Sequence, residues 1–241
     1  MNTGLEVKRF KYLRLNNRGA LLEMKRIVVI NAKGGCGKTT VSTNLASYYA
    51  SKGIHTALFD YDPQGSCMRW LKLRGEESPN IYGVVAHKNP AKTVTMSWQL
   101  RLPDGTERLI IDTPPGLKGM DLIEQIKGAD SILIPVLPSP LDIFATADFI
   151  RDLLLEAKVR LNKTNVGIIA NRAKKNTVAL RSLERFLESL NIPVVARLRD
   201  TQNYLRATEN GMGIHELKGQ NTYMDGQHWK GVAEWVDKER Q

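Results

Sequence analysis

The stretch "VVINAKGGCGKTT", from Val28 to Thr40, decides the fold of this chain. It opens as a short apolar run, passes through three glycines and leads into a segment with helical character. A glycine-rich loop between a buried strand and a helix N-terminus can bind phosphates through its backbone N–H groups and the helix dipole. We therefore expect a phosphate loop made of Gly34, Gly35, Cys36, Gly37, Lys38, Thr39 and Thr40.

The loop carries two lysines, although one is enough to bind a nucleotide phosphate. Lys38 is placed to neutralise the β- and γ-phosphates, and the Thr39 hydroxyl to ligate Mg²⁺. The general pattern G-x-x-x-x-G-K-[ST] fails here, because Ala32 stands at its first glycine position. What matches is K-G-G-x-G-K-T-T, which resembles the deviant loop of the ParA/MinD family of ATPases. That resemblance implies that Lys33 reaches across a dimer interface to the partner's ATP; the alternative is a solvated charge beside the loop.

Short apolar runs alternate with helical stretches along most of the chain. The runs are "RIVVIN", "HTALFD", "RLIID", "SILIPV", "NVGIIA" and "PVVA". Runs that are apolar on both faces and interleaved with helices predict a doubly wound, mostly parallel, twisted α/β sheet with helices on both faces. One stretch, "TVTMSWQLRLPDGTERLIID", has period-two character around Pro103-Asp104-Gly105 and predicts a hairpin that adds an antiparallel edge.

The composition limits the classes of protein to consider. The 241 residues carry a net charge of +10, which fits a polyanionic partner such as nucleic acid or an anionic membrane surface. Only two cysteines occur and no apolar run is long enough to span a bilayer, so we expect a cytoplasmic protein.

We expect a single ATPase domain over 24–241, preceded by a basic N-terminal arm over 1–23. The arm carries more basic than acidic residues and shows no sustained periodicity. It is read as a nucleic-acid-binding arm, as a solvated tail, or as sequence upstream of a start at Met24.

Two further motifs resemble the family's switch regions. In "LFDYDPQGS" the resemblance places Asp60 near the Mg²⁺ and Asp62 where it orients or activates the attacking water; an ordinary loop stopped by Pro63 is the alternative. "LIIDTPPG" resembles a Walker B strand followed by the second switch, which implies that Asp112 holds the Mg²⁺ shell through water. The strand ends in Asp112 at the sheet edge where open α/β sheets bind ligands. The expected metal set is thus Thr39, Asp60 and Asp112.

The later motifs also follow the family. "IPVLPSPLD" resembles the proline-rich strand end that leads into an interface helix, and "IIANR" matches the position at which relatives contact adenine. The resemblance therefore implies that Asn171 and Arg172 contact the base. A polar cap at a strand end is the alternative for Asn171.

The resemblance leaves the type of ATPase open, and the C-terminal segments separate the candidates. A basic stretch ending near Lys218 resembles the segment that binds DNA nonspecifically, with Arg197, Arg199 and Arg206 as the leading candidates. A MinD-like membrane binder needs a cationic amphipathic last helix, whereas the residues over 227–239 carry balanced charges. We expect that helix to dock its tryptophans on the core, without stable membrane insertion.

Together these features predict a ParA-type ATPase that positions or segregates plasmid or chromosome DNA, or a protein body such as a carboxysome. It would use ATP and Mg²⁺, form a homodimer on ATP binding, bind nonspecific DNA and associate with the nucleoid. A ParB-like or adaptor protein would stimulate a slow hydrolysis. The alternatives are a MinD-like membrane-recruited regulator and a phosphotransferase or synthetase on the same fold.

Overall fold

A computed structural model describes residues 13–15, 21–87, 102–155, 157, 159, 164–174, 177–189, 192–219 and 222–238. Within these residues, seven strands form one sheet in the order β5-β4-β6-β3-β7-β8-β9, and each neighbouring pair is parallel. The strands are β3 (Lys25–Val29), β4 (Thr56–Asp60), β5 (Tyr82–Val85), β6 (Arg108–Asp112), β7 (Ser131–Val136), β8 (Asn165–Ala173) and β9 (Val194–Arg199). The predicted doubly wound parallel sheet is confirmed.

Seven helices follow or connect these strands in the described part of the chain. They are α1 (Lys38–Ser51), α2 (Ser66–Leu73), α3 (Gly119–Ile126), α4 (Pro140–Leu155), α5 (Val178–Ser189), α6 (Asn203–Glu209) and α7 (Tyr223–Asp237). A short 3₁₀ turn, Ile214–Glu216, precedes α7. Helices α1 and α7 pack on one face of the sheet, and α3, α4 and α5 pack on the other.

Alternation along β3 shows why the sheet is covered on both sides. Ile27 and Val29 lie in the core under α1 and α7, whereas Val28 and Ile30 lie in the core under α3 to α5. All four side chains are fully buried. A strand buried on both faces reads as a continuous apolar run, which is how the sequence revealed it.

The strand order places the candidate site. β3 lies between β6 and β7, which is the point where the chain changes its direction of winding across the sheet. Ligands of open α/β sheets bind at the carboxyl ends of the strands beside such a point. The glycine loop follows β3, and Asp112 ends β6, so both lie in that crevice.

The hairpin predicted around residues 103–105 is wrong, because its second strand, β6, has no antiparallel partner. The turn itself exists, since the Thr106 N–H donates to the Pro103 carbonyl. However, β6 pairs in parallel with β3 on one edge and with β4 on the other, so no edge is left for an antiparallel neighbour. The first side of the predicted hairpin, residues 93–101, lies outside the described residues.

Four other elements differ from the sequence prediction. The strand β5 was missed, because Gly83 interrupts its apolar pattern and its side chains are largely exposed. In the basic arm, β1 (Leu13–Leu15) and β2 (Leu21–Glu23) form an antiparallel pair where no periodicity had suggested strands. The last helix begins at Tyr223, four residues before the predicted Gln227.

The terminal helix docks on the core as expected. Trp229, Val232 and Val236 of α7 are buried in the cluster shared with α1 and the sheet. Trp235 packs closely over Gly167 of β8. Within the part of the chain that the structure describes, none of the helices has both the length and the apolar character needed to cross a bilayer.

Candidate functional site

The glycine loop is shaped by backbone conformations that few side chains tolerate. Gly35 has φ 73° and Gly37 has φ 100°. A Cβ on Gly37 would also lie 2.0 Å from Nδ2 of Asn171, at the end of β8. A substitution at Gly37 would therefore be strained by its φ and blocked by its neighbour.

The two lysines of the loop point in different directions. Lys38 is 6% exposed, and its ammonium donates to the carbonyl oxygens of Asn31 at 3.2 Å and Lys33 at 3.0 Å. The Lys33 side chain is 42% exposed, and its Nζ lies 3.8 Å from Oδ1 of Asp142 on α4. Lys38 thus belongs to the interior of its own loop, while Lys33 projects from the loop.

Asn31 anchors the base of the loop, and sequence reasoning missed it. Its Oδ1 accepts from the Lys33 N–H at 3.1 Å, and its Nδ2 donates to the Pro135 carbonyl at 2.8 Å. The side chain is buried, so these bonds tie the loop to the end of β7. The sequence signal that could have identified Asn31 is its position between a buried strand and a glycine loop.

Asp112 lies at the centre of the crevice and accepts three side-chain contacts. The Thr39 hydroxyl donates to Oδ2 at 2.8 Å, and the Ser42 hydroxyl donates to Oδ1 at 2.9 Å. The Cys67 thiol lies 3.2 Å from Oδ2. Burial raises the pKa of Asp112 to about 6, against the lowering effect of these hydrogen bonds. Ser42 and Cys67 had not been predicted as neighbours of this carboxylate.

Asp60 connects β4 to the first turn of α2. Its Oδ2 accepts from the backbone N–H groups of Cys67 at 3.0 Å and Met68 at 3.3 Å. Its Oδ1 accepts from the Asp62 N–H at 3.0 Å. Burial raises the pKa of Asp60, against these backbone hydrogen bonds. The carboxylate therefore holds the α2 N-terminus and the preceding loop to the end of the strand.

The donor set of this crevice fits Mg²⁺. Asp60, Cys67 and Asp112 are buried, and each offers a ligand atom within 4.8 Å of the others. The Thr39 hydroxyl lies beside Asp112. Two carboxylates and a hydroxyl are the hard oxygen ligands that Mg²⁺ prefers. The predicted metal residues Thr39, Asp60 and Asp112 thus lie together, and the desolvated Asp112 is a group that a cation would stabilise.

Asp62 lies just beyond this cluster, half-buried. Its Oδ1 accepts from the Gln64 N–H at 2.9 Å, which turns the chain toward α2. The loop after β6 also contacts the glycine loop, since the Gly116 N–H donates to the Ala32 carbonyl at 2.9 Å. Both predicted switch segments therefore border the same crevice.

Asn171 and Arg172 close the side of the loop nearest β8. The Asn171 Nδ2 donates to the Cys36 carbonyl at 2.8 Å, and its Oδ1 accepts from the Arg172 N–H at 3.0 Å. Asn171 is 4% exposed, so its amide supports the loop directly. Arg172 is exposed and, among the described non-glycine residues, is the one with a positive φ, 50°. Their contact with adenine stays a prediction.

The three candidate DNA-binding arginines have different surroundings. Arg197 pairs with Glu184 at 2.6 Å on the surface. Arg199 makes two bonds, at 2.7 and 2.9 Å, to the fully buried Asp225 of α7, so it joins β9 to that helix. Arg206 on α6 is exposed. Of the three arginines, Arg206 is the one best placed to contact a DNA phosphate. Arg199 makes a structural contact that the sequence did not reveal.

Replacing Asp112 with asparagine should stabilise the protein in the absence of nucleotide and Mg²⁺. The pKa of Asp112 rises from 3.8 to about 6 on folding, so its ionised form is disfavoured in the native state. Ionisation of Asp112 therefore lowers the free energy of unfolding. This loss is absent below about pH 4, grows between about pH 4 and 6, and reaches about 1–3 kcal/mol above about pH 6. Chemical denaturation with a chelator should show the gain at pH 8 and its loss at pH 4. An equal gain at both pH values would contradict the assignment.

Comparisons with known proteins agree with this architecture. The family described as CobQ/CobB/MinD/ParA nucleotide binding domain matches residues 27–214. Maintenance of carboxysome distribution protein A from Halothiobacillus neapolitanus is 29% identical over 79% of this chain and 87% of its own length.

Two solved structures show the same fold. One is McdA from Cyanothece in complex with ATP, with a TM-score of 0.68 and 17% identity over 90% of this chain and 98% of its own. The other is the cell division protein MinD from Aquifex aeolicus, with a TM-score of 0.65 and 19% identity over 90% of this chain and 99% of its own.

Proposed function

Because the chain belongs to the CobQ/CobB/MinD/ParA family of nucleotide-binding domains, we propose that it is a ParA-type ATPase that positions a cargo. The relative from Halothiobacillus neapolitanus is named for the maintenance of carboxysome distribution, and we extend cargo positioning to this chain. The cargo is a protein body such as a carboxysome, or plasmid or chromosome DNA. The proposed domain covers 24–241, with 1–23 as a basic arm.

The observation that carries the proposal is the divergence of the two loop lysines. Lys38 faces into its own loop, whereas the ammonium of Lys33 reaches outward to α4. In this proposal the inward lysine binds the phosphates of the nucleotide in its own protomer. The outward lysine would leave Asp142 and reach a nucleotide in a second protomer, where it would stabilise charge as an arginine finger does.

Each remaining residue of the crevice then has a task in the ATPase cycle. The loop N–H groups from Gly34 to Thr40 bind the phosphates, and Thr39, Asp60 and Asp112 would hold Mg²⁺, directly or through water. The bound ion supplies neutralisation of charge on the β- and γ-phosphates. Asp62 orients the attacking water and accepts its proton.

The bound nucleotide would control whether the protein binds DNA, and rapid turnover of ATP would not be needed for this function. ATP joins two protomers through Lys33 and brings their basic surfaces together, which raises the affinity for DNA phosphates. A ParB-like or adaptor partner stimulates hydrolysis, which removes the γ-phosphate and releases the dimer from DNA. We expect slow hydrolysis without that partner and a protein associated with the nucleoid. The docked tryptophans of α7 favour this reading over a MinD-like membrane binder.

The proposal is tested by co-sedimentation with nonspecific duplex DNA and, separately, with anionic liposomes. Each is measured with ATP, with ADP and without nucleotide, over a series of salt concentrations. Binding to DNA that requires ATP and weakens with salt supports the proposal. Binding to liposomes without binding to DNA would favour a MinD-like regulator. ATP turnover that depends on a small-molecule substrate, without binding to DNA or to liposomes, would indicate a phosphotransferase or synthetase.

Replacing Arg206 with glutamate should weaken DNA binding by the ATP form about 3- to 10-fold at low salt. Each phosphate contact releases a counterion from the DNA. Loss of the contact should therefore reduce the magnitude of the slope of log affinity against log salt concentration by about one for each protomer. Lys72→Glu, at an exposed position near the end of α2, is the control with the same change in charge. If the two variants bind DNA equally well, α6 does not form part of the DNA surface.

A further inference from the structure

The thiol of Cys67 is a soft ligand beside the two carboxylates of the candidate metal site. Cys67 lies in the first turn of α2 and is fully buried. Its Sγ lies 3.2 Å from Oδ2 of Asp112, and its backbone N–H donates to Oδ2 of Asp60 at 3.0 Å. The ATPase cycle proposed above gives this thiol no task, although no other side chain of the crevice offers sulfur to the same carboxylate among the described residues.

The separation of these groups matches the ligands of one cation. With bonds of about 2.3 Å to sulfur and about 2.1 Å to oxygen, a tetrahedral Zn²⁺ holds its sulfur and oxygen ligands about 3.6 Å apart. The observed 3.2 Å between Sγ of Cys67 and Oδ2 of Asp112 is close to that value. A carboxylate oxygen of Asp60 lies within 4.8 Å of both atoms. Three protein ligands therefore converge, and a tetrahedral ion would keep its fourth position for water.

The charge of the crevice also favours a cation. Asp60 and Asp112 are both fully buried. In the part of the chain that the structure describes, neither carboxylate forms an ion pair with a lysine or an arginine, and their partners are hydroxyl, thiol and backbone N–H groups. Buried charges without an opposite charge are costly. A divalent cation bound here would supply the missing positive charge.

We propose that Cys67 makes this site bind a thiophilic divalent cation, such as Zn²⁺, more tightly than Mg²⁺, with Cys67, Asp60 and Asp112 as the ligands. The inference rests on the metal site of the proposed function. Mg²⁺ prefers oxygen ligands and gains nothing from the thiol, whereas Zn²⁺ binds thiolate sulfur. A bond from the cation to Sγ replaces the S–H bond, and the proton leaves to solvent. Because both cations use the same carboxylates, the thiophilic cation competes with Mg²⁺ for the site.

The test uses Cd²⁺, a thiophilic ion whose bond to a thiolate gives an ultraviolet charge-transfer band. The whole chain is titrated without nucleotide, because adenine absorbs in the same range. We expect a thiolate band that saturates with one ion per chain and that excess Mg²⁺ weakens. Zn²⁺ affinity is measured by competition with a chromophoric chelator. Groups that only support a metal ligand contribute about 10- to 100-fold to affinity, so Cys67→Ala should lower Zn²⁺ affinity by at least about 100-fold and abolish the Cd²⁺ band.

Cys36, the other cysteine of the chain, provides the matched control. Its thiol donates to the Lys33 carbonyl and is not part of the cluster. Cys36→Ala should therefore keep the Cd²⁺ band and the Zn²⁺ affinity. Cys67→Ser retains the size of the side chain and replaces sulfur with a hard oxygen. It should lose the band and the preference for Zn²⁺ while it still binds ATP with Mg²⁺, which shows that it is folded.

A Cd²⁺ band that persists in Cys67→Ala or Cys67→Ser, or one that disappears in Cys36→Ala, would overturn the assignment. Zn²⁺ binding that is no tighter than Mg²⁺ binding, or that Mg²⁺ does not weaken, would overturn it as well. These titrations need neither nucleotide nor dimerisation. A protein that gives the Cys67-dependent band but does not bind ATP with Mg²⁺ would support the cation site and contradict the proposed function instead.

Discussion

Replacing Asp62 with alanine is expected to slow ATP hydrolysis about 100-fold or more and to hold the protein as an ATP-bound dimer. The carboxylate lies half-buried beside the cluster of Asp60 and Asp112, and its Oδ1 accepts from the Gln64 N–H at 2.9 Å. Positioned general bases contribute about 10²- to 10⁴-fold to the rate. In the proposed function, nucleotide binding depends on the loop N–H groups and Lys38, so it should survive the substitution.

Single-turnover hydrolysis and sedimentation velocity would measure the two parts of this prediction. Glu234→Ala, at an exposed position on α7, serves as the control for the loss of an acidic side chain. An Asp62→Ala protein that hydrolyses ATP at the unaltered rate would remove this residue from the reaction. A slow protein that remains monomeric with ATP would instead separate hydrolysis from dimerisation.

Replacing Lys38 with alanine should weaken ATP binding about 100-fold or more. Its ammonium is 6% exposed and held by the carbonyl groups of Asn31 and Lys33 at the mouth of the loop. Charge-assisted hydrogen bonds to phosphate are about twice as strong as neutral ones, and a buried lysine makes more than one. Neither a backbone N–H group nor water can supply the missing charge.

Isothermal titration calorimetry with ATP and ADP would measure the loss. Lys52→Ala, at the end of the same helix, is the control, because it removes a lysine that lies over Tyr48 and away from the loop. Circular dichroism should show that Lys38→Ala remains folded, since α1 keeps its packing on the sheet. ATP affinity close to that of the unaltered protein would mean that Lys38 does not bind the phosphates.

The fold could be predicted because its signals are local. The buried strands appear as short apolar runs, and the glycine loop identifies the end of β3 without knowledge of its neighbours. The hairpin prediction failed for the opposite reason. Period-two character in "RLIID" is compatible with pairing on either edge, and only the complete sheet shows that β3 and β4 occupy both edges of β6.

The sequence predicted which residues of the candidate site lie close together, but not the groups that position them. Asp60, Asp112 and Thr39 were found because the motifs place them at strand and helix ends. Ser42 contacts Asp112 from 70 positions away in sequence, a relation that the topology creates and no local pattern records. Asn31 and Asp142 belong to the same class, since their importance lies in partners brought together by the parallel sheet.

Asn171 shows a further limit of reading residues singly. The sequence suggested contact with adenine or a polar cap at a strand end. In the structure its amide supports the Cys36 carbonyl, and the absence of a side chain at Gly37 leaves room for it. A close approach between a glycine and a side chain from another strand has no signature in a single sequence.

The central claim is that ATP joins two copies of this chain through Lys33. The most direct test is sedimentation velocity of Asp62→Ala and of Asp62→Ala with Lys33→Ala, each with ATP and Mg²⁺ and each with ADP. The account predicts an ATP-dependent dimer for the first protein and a monomer that still binds ATP for the second. A stable ATP-dependent dimer of the protein that lacks Lys33 would contradict it.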